Sequence, residues 1–238
     1  MEYLRGWRAL RSDPEWKSKV GVATVLLLSS FVIPVLGQLI MGGWLVLALR
    51  LAVRGQDAPL PPLRFDIELF KRLLGLGFKP MVAQIVYSLP IMAVGMVMGC
   101  ASGALNIAIQ RGEAGPVVAV VLGVLFLVYV VTIAICVPLA MVAALRASLM
   151  DNLGEAMSFR GVRALFRPIL GDVIIGTLVM GLVSFPIVMG GMILCYVGVF
   201  PAAVIVSVLN TYFHAELYRR YLEKGGEPLP VGSPDASA

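Results

Sequence analysis

Charge is scarce in this chain. Asp, Glu, Lys and Arg make up 14% of its 238 residues, against about 25% in an ordinary soluble domain. There is one histidine, His214, and there are three cysteines. Each shortage excludes something. One histidine cannot build an HExxH pair or any multi-histidine metal site. Cys100, Cys136 and Cys195 stand singly in apolar runs, without metal-ligand spacing, and three cannot all pair. They read as small buried residues. There is no G-x-S-x-G, no P-loop and no G-x-G-x-x-G, no serine placed with a His/Asp partner, and no pair of carboxylates inside an apolar run. The sequence therefore predicts no enzyme, no cofactor and no metal.

What is abundant is apolar surface. Hydrophobic residues make up 59% of the chain, and the mean hydropathy is +0.92. A soluble globule of this size could not hide that much, because much of any folded surface must face water. The composition predicts an integral membrane protein. Six apolar stretches read as helices: Val20–Leu36, Leu39–Val53, Met81 to about Ile107, Pro116 to about Leu145, Ile169 to about Gly190, and about Leu194 to Leu217. The first two are short for a hydrocarbon core of about 30 Å. They are either two spans or a re-entrant hairpin. No A-x-A cleavage site follows the first run, so it is expected to be retained. The expected fold is all-α: a polytopic transmembrane bundle of about six spans in three helical hairpins. Residues 1–19 form a cytoplasmic lead-in, 20–224 one transmembrane domain, and 225–238, rich in Gly, Pro and Ser, a disordered tail.

The few charges are unevenly placed. With the amino terminus inside, segments 1–19, 50–79, 146–167 and 219–224 are cytoplasmic and hold 18 of the 19 basic residues, leaving Arg111 outside. That is a strong positive-inside pattern. It predicts a cytoplasmic (inner) membrane protein with both termini inside. The net charge of +5 is then read as topogenic, with anionic lipid headgroups as partners and no nucleic acid. Three basic segments have amphipathic spacing and are expected to be interfacial helices. In 3–11, Tyr3, Trp7 and Leu10 oppose Arg5, Arg8 and Arg11. In 66–79, Ile67, Phe70, Leu73, Leu74 and Phe78 oppose Lys71, Arg72 and Lys79. In 155–167, Phe159, Val162 and Phe166 oppose Arg160, Arg163 and Arg167. These nine cations are headgroup candidates; the bland alternative is charge that only sets orientation.

Other features shape packing. Gly95, Gly99 and Gly103 make two overlapping GxxxG spacings, a face for close helix approach within the chain or in a homo-oligomer. Pro34, Gly37, Pro90 and Pro186, with Pro138 and Pro201, predict turns, kinks or breaks. A weak repeat pairs Arg5–Leu10 with Arg160–Leu165, and Phe78-Lys79-Pro80 with Phe166-Arg167-Pro168. No charge lies deep in a span; Arg50, Arg54, Asp172 and Glu216 sit near ends. A central charge costs roughly 2.5–3.5 kcal/mol, so proton relays and charged ion pathways are unexpected. Gln38, Gln84, Asn106, Thr132, Asn210 and Thr211 are the polar residues within or beside spans, with interhelical hydrogen bonding as their default role. His214 reads as an interfacial residue.

One series of motifs resembles a known family. Asp13-Pro14-Glu15-Trp16 precedes the first run; Pro34-Val35-Leu36-Gly37-Gln38, Gly43-Trp44, Arg50, Gly55, Leu60-Pro61-Pro62 and Phe65-Asp66 follow in order. This resembles the uncharacterised prokaryotic integral-membrane family known as domain of unknown function 4013, with Leu63 where an aromatic is common. The resemblance implies a prokaryotic polytopic membrane protein and no catalytic or binding residue. Two functional readings remain. The first is a non-enzymatic protein that organises lipid or a membrane partner. The second is a permease-like protein for a neutral or lipidic substrate. A polar cavity between Gln38, Gln84, Thr132 and Asn210 would favour the second.

Overall fold

The computed structural model describes residues 2, 4–57, 59–110, 116–193 and 197–233. Tyr3, Arg111, Leu194 and Cys195, which the sequence reading uses, lie outside them. The described residues form eight helices and no strand: α1 (Arg5–Ser12), α2 (Trp16–Ser29), α3 (Leu36–Val53), α4 (Ile67–Gln110), α5 (Pro116–Leu149), α6 (Leu153–Ala156), α7 (Phe159–Ile193) and α8 (Val199–Glu223). Four of them, α3, α4, α5 and α7, are long and apolar enough to cross a membrane.

Two expected boundaries are absent. The basic segments 67–79 and 159–167 are not separate helices. Each runs without interruption through Pro80 or Pro168 into the apolar stretch that follows. Pro90, Pro138 and Pro186 also lie inside continuous helices. Proline removes one backbone donor, but neighbouring helices and local adjustment can satisfy the freed carbonyl. Asp66 sets the true start of α4, its side chain accepting from the Glu68 amide at 2.9 Å. The two copies of the weak repeat consequently fold differently. Arg5–Leu10 lies in a separate eight-residue helix, whereas Arg160–Leu165 opens a 35-residue one.

Pro34 and Gly37 do mark a turn, between α2 and α3. Val35 in this turn has φ of 76°, a strained conformation for a β-branched residue. A Cβ on Gly37 would overlap the Leu26 carbonyl, so glycine lets the hairpin close. The turn is apolar and open: Phe31 is 78% exposed and Val32 83%. The α2 arm has 14 residues, about 21 Å of helix.

α3 and α8 hold the middle. The α3–α4 crossing is set by Gly43 and Gly77, where a Cβ would overlap the backbone of Leu73 and Leu39 respectively. Gly176 of α7 seats the Phe213 ring of α8 in the same way. α1 lies on α8 through Gly6, Ala9 and Leu10, with Gly6 over Leu209 and Tyr212. Its contact face is therefore made by small residues, not by the expected Trp7, which stays exposed.

Burial is concentrated at one end, where the 54–66 and 150–158 connections and the chain's tail meet. Trp44, Leu73, Val142, Leu165, Ile169 and Val208 are part of this core. The tail, expected to be disordered, is held there over residues 226–233: the Gly232 amide donates to the Leu149 carbonyl at 2.8 Å, and the Leu229 amide to the Tyr218 hydroxyl at 2.8 Å. Backbone bonds to buried partners outweigh what its composition suggests. At the other end, α4 and α5 continue as a two-helix fin. Among its described side chains none between residues 84 and 139 is buried, and Met96, Phe126 and Leu127 are 72%, 60% and 62% exposed.

Candidate functional site: an uncharged polar cavity

The sequence places a polar stripe on α8, and the fold turns it toward faces of α3, α4 and α5 that carry one polar side chain each, Gln38, Gln84 and Ser148. On α8, Ser207, Asn210, Thr211 and His214 follow i, i+3, i+4, i+7 and share one face. On α3, Gln38, Gly42, Leu45 and Leu49 do the same; on α4, Gly77, Pro80, Met81 and Gln84; on α5, Ala144 and Ser148. Together they line a cavity of about 450 Å³. That lies within the range of small-molecule sites, about 300–1,000 Å³. No Asp, Glu, Lys or Arg lines it.

The hydroxyls are already engaged. Ser148 donates to the Ala144 carbonyl at 2.7 Å, Ser207 to Ala203 at 2.8 Å and Thr211 to Ser207 at 2.9 Å, each within its own helix. The amides of Gln38, Gln84 and Asn210 make no hydrogen bond among the described residues. The expected interhelical bonds are thus not what these residues do. Three carboxamides, Gln38 and Gln84 exposed and Asn210 partly buried, bring donors and acceptors to one open space. Thr132 stands apart, on the fin, donating to the Val128 carbonyl at 2.7 Å. Asn106 is exposed. His214 lines the cavity wall with Asn210. The sequence signal for this was the α8 stripe. Single-residue reading missed Ser148, Ser207 and the shared face of His214. No group of three or more His, Cys, Asp or Glu suited to a metal occurs among the described residues.

The headgroup candidates divide. Arg5 is spent inside the fold, donating to both Asp57 carboxylate oxygens at 2.9 and 2.6 Å and to the Ala52 carbonyl at 3.0 Å. The Asp57 hydrogen bond raises its pKa against the opposing effect of burial. Arg8 pairs with Glu2, Lys71 with Glu68 at 2.8 Å, and Lys79 with Asp151 at 3.4 Å. Arg72 makes further interactions within the fold. Arg160, Arg163 and Arg167 are exposed and, with Phe159 and Ala164, surround a shallow concavity on α7. Arg11 is exposed on α1. Gly99 and Gly103 meet nothing within 4 Å, and Gly95 only the Tyr129 ring at 3.5 Å. The close helix approach expected of them within the chain is made instead by Gly43 and Gly77.

The motif residues prove to be fasteners. Asp13 Oδ2 accepts from Lys19 Nζ at 2.7 Å and from the Leu60 amide at 2.9 Å, and Lys19 Nζ also donates to the Leu60 carbonyl at 2.7 Å. Trp44 Nε1 donates to the Pro61 carbonyl at 3.0 Å. Arg50 Nε donates to the Ser148 carbonyl at 2.9 Å, and its Nη2 to Asp151 at 2.9 Å. These bonds tie the Pro-rich connection and the 150–151 turn to the helices around the cavity. They give Asp13, Trp44, Arg50 and the Leu60-Pro61 backbone of the pattern a structural role.

Neither a curated protein nor a solved structure matches the chain. A family profile described as protein of unknown function (DUF4013) does, over residues 26–197. The matched stretch takes in the last turn of α2, the turn into α3, the Pro-rich connection and the cavity faces of α3, α4 and α5, but not Asp13–Trp16, most of α2 or α8. With well over half its length matched, the chain belongs to the DUF4013 family.

Proposed function

We propose that this is a multi-pass protein of a prokaryotic cytoplasmic membrane, non-enzymatic and permease-like. It admits a neutral, hydrogen-bonding ligand, or the uncharged polar part of a lipid, to the cavity between α3, α4, α5 and α8. The cavity carries the reading. Gln38, Gln84 and Asn210 line it together, three of the four residues whose convergence favours transport over a purely organising role. Its lining offers both donors and acceptors and no fixed charge, which suits an uncharged partner and disfavours an ion.

The topology belongs to the same reading. The basic residues favour both termini inside. The fin's exposed apolar side chains suit a lipid surround. The short α2 arm and the apolar tip at 31–35 favour a re-entrant α2–α3 hairpin over six full spans; α4, α5 and α7 then cross, and α8, though less apolar than the four candidate spans, must cross with them to keep both termini inside.

The test is reconstitution of the full chain into liposomes, followed by uptake of small neutral solutes and transbilayer exchange of labelled lipid. The expected result is movement of at least one class. Gln84→Leu and Asn210→Leu should reduce it about tenfold or more, as expected when a site built for hydrogen bonding loses a partner. Flat traces for both classes with correctly folded protein would return the reading to the organising role.

A further inference from the structure

The cavity is open at one end and closed at the other. Gln38 and Gln84 mark the open end, where both are exposed. At the basic end Leu49 and Ser148 are buried. Just beyond them Arg50 of α3 donates to the Ser148 carbonyl, and Arg50 and Lys79 of α4 converge on Asp151, which follows α5. Burial pushes the Asp151 carboxyl upward, but bonds from Arg50 and Lys79 outweigh it and hold its pKa below the ordinary 3.8. One ionic cluster thus joins three walls of the cavity, α3, α4 and α5.

The fourth wall, α8, reaches this cluster through the tail. Among the described residues α8 packs on α1, α2, α3 and α7 rather than on α4 or α5. Gly225, at φ of 83°, turns the chain back at the end of α8. Residues 226–233 then cross the basic end, with Leu229 and Val231 packed on the core. Arg50 Nη1 donates to the Ser233 carbonyl at 3.1 Å, and Arg54 Nη2 to the Gly232 carbonyl at 3.0 Å. The Gly232 amide donates to the carbonyl of Leu149, the residue after Ser148. A Cβ on Gly232 would overlap both the Arg50 guanidinium and the Asp151 carboxylate, so the tail is seated inside the cluster at a residue without a side chain. Arg54 is exposed, and among the described residues its hydrogen bonds go to the tail alone. Across the cavity, the tail is what fastens α8 to the end of α5.

We infer that residues 226–233 are a latch on the basic end of the cavity. Seated, the tail holds α8 to the ends of α3 and α5 and keeps that end shut. Released, it frees α8 to part from α5 and opens the cavity toward the cytoplasmic side. The latch rests on the permease-like reading, for which it supplies the inner gate. Its arginine bonds all end on main-chain carbonyls, so seating depends on the path of the tail and on the room left at Gly232.

The test is cysteine accessibility in the full-length chain, in membrane vesicles that present the basic end to an impermeant thiol reagent. The three native cysteines are replaced, and Ser148→Cys is the probe. With the tail unaltered the probe should label slowly. Arg54→Gln removes only bonds to the tail, and Gly232→Val prevents seating; each should speed labelling about tenfold or more, as expected when a local opening becomes easier. Ala23→Cys, buried in α2, should stay protected in both variants. Unchanged labelling of Ser148→Cys in both would overturn the latch. So would equal exposure of Ala23→Cys, which would mean general loosening. Labelling does not depend on transport. Faster labelling with flat solute and lipid traces would keep the latch and discard the permease-like reading, whereas movement in wild type with unchanged labelling would discard the latch alone.

Discussion

At the scale of the residue, the most informative group is the Asp13–Lys19 pair. Both side chains are almost fully enclosed, at 1% and 5% exposure. Burial pushes the Asp13 carboxyl upward, but bonds from Lys19 and the amides of Glu15 and Leu60 outweigh it and leave its pKa below the ordinary 3.8. A depressed folded value means that the stabilisation is complete above the unfolded value and is lost as pH falls through the folded one. The unfolding midpoint of wild type should therefore drop on acidification in that range, and Asp13→Asn should flatten the drop. At neutral pH, Asp13→Asn strands a buried ammonium and should cost about 3 kcal/mol, measured by denaturant titration. Lys19 was read from the sequence as one more topogenic charge, because nothing local announces a partner 41 residues away at Leu60.

At the scale of the element, the glycines sort by what they face. Gly43→Val should destabilise by about 1–3 kcal/mol, because the α3–α4 crossing cannot widen without cost. Gly99→Leu should change stability by about 0.5 kcal/mol or less; an altered oligomeric state on sizing would reassign that face to a homo-oligomer. The α2–α3 hairpin has its own test. Ile33→Cys, in a chain whose three native cysteines are replaced, should resist an impermeant thiol reagent applied from outside, and rapid labelling there would establish two full spans. Helix identity was legible in the sequence because apolar runs and amphipathic stripes are local. Helix ends at Pro80 and Pro168 were not, since whether a proline breaks a helix depends on neighbours. The cavity was half legible. Ser207, Asn210, Thr211 and His214 have the spacing of one face, but which faces of α3, α4 and α5 oppose them is a matter of helix register, which periodicity does not encode.

At the scale of the whole molecule, burial and apolarity separate. The basic end carries most of the core and most of the ion pairs, while the α4–α5 fin has apolar side chains without a protein partner. In water an exposed position tolerates a charge. Under the membrane reading the fin should not: Phe126→Asp is expected to cost about 2.5–3.5 kcal/mol of insertion free energy, seen as a reduced membrane-integrated fraction. Full tolerance would argue against a lipid surround.

The fin has one more consequence. Side chains that meet no other part of the chain take their neighbours from the acyl phase, so the length and order of those acyl chains become variables of the fold. The apolar part of α4, from Met81 to Ile107, is about 40 Å long, beyond a hydrocarbon thickness of about 30 Å. The excess must be absorbed by tilt or by local deformation of the bilayer. A change in growth temperature that remodels the lipids would thus re-pose this protein through α4 and α5, with the motion delivered to the α3–α4 crossing at Gly43 and Gly77.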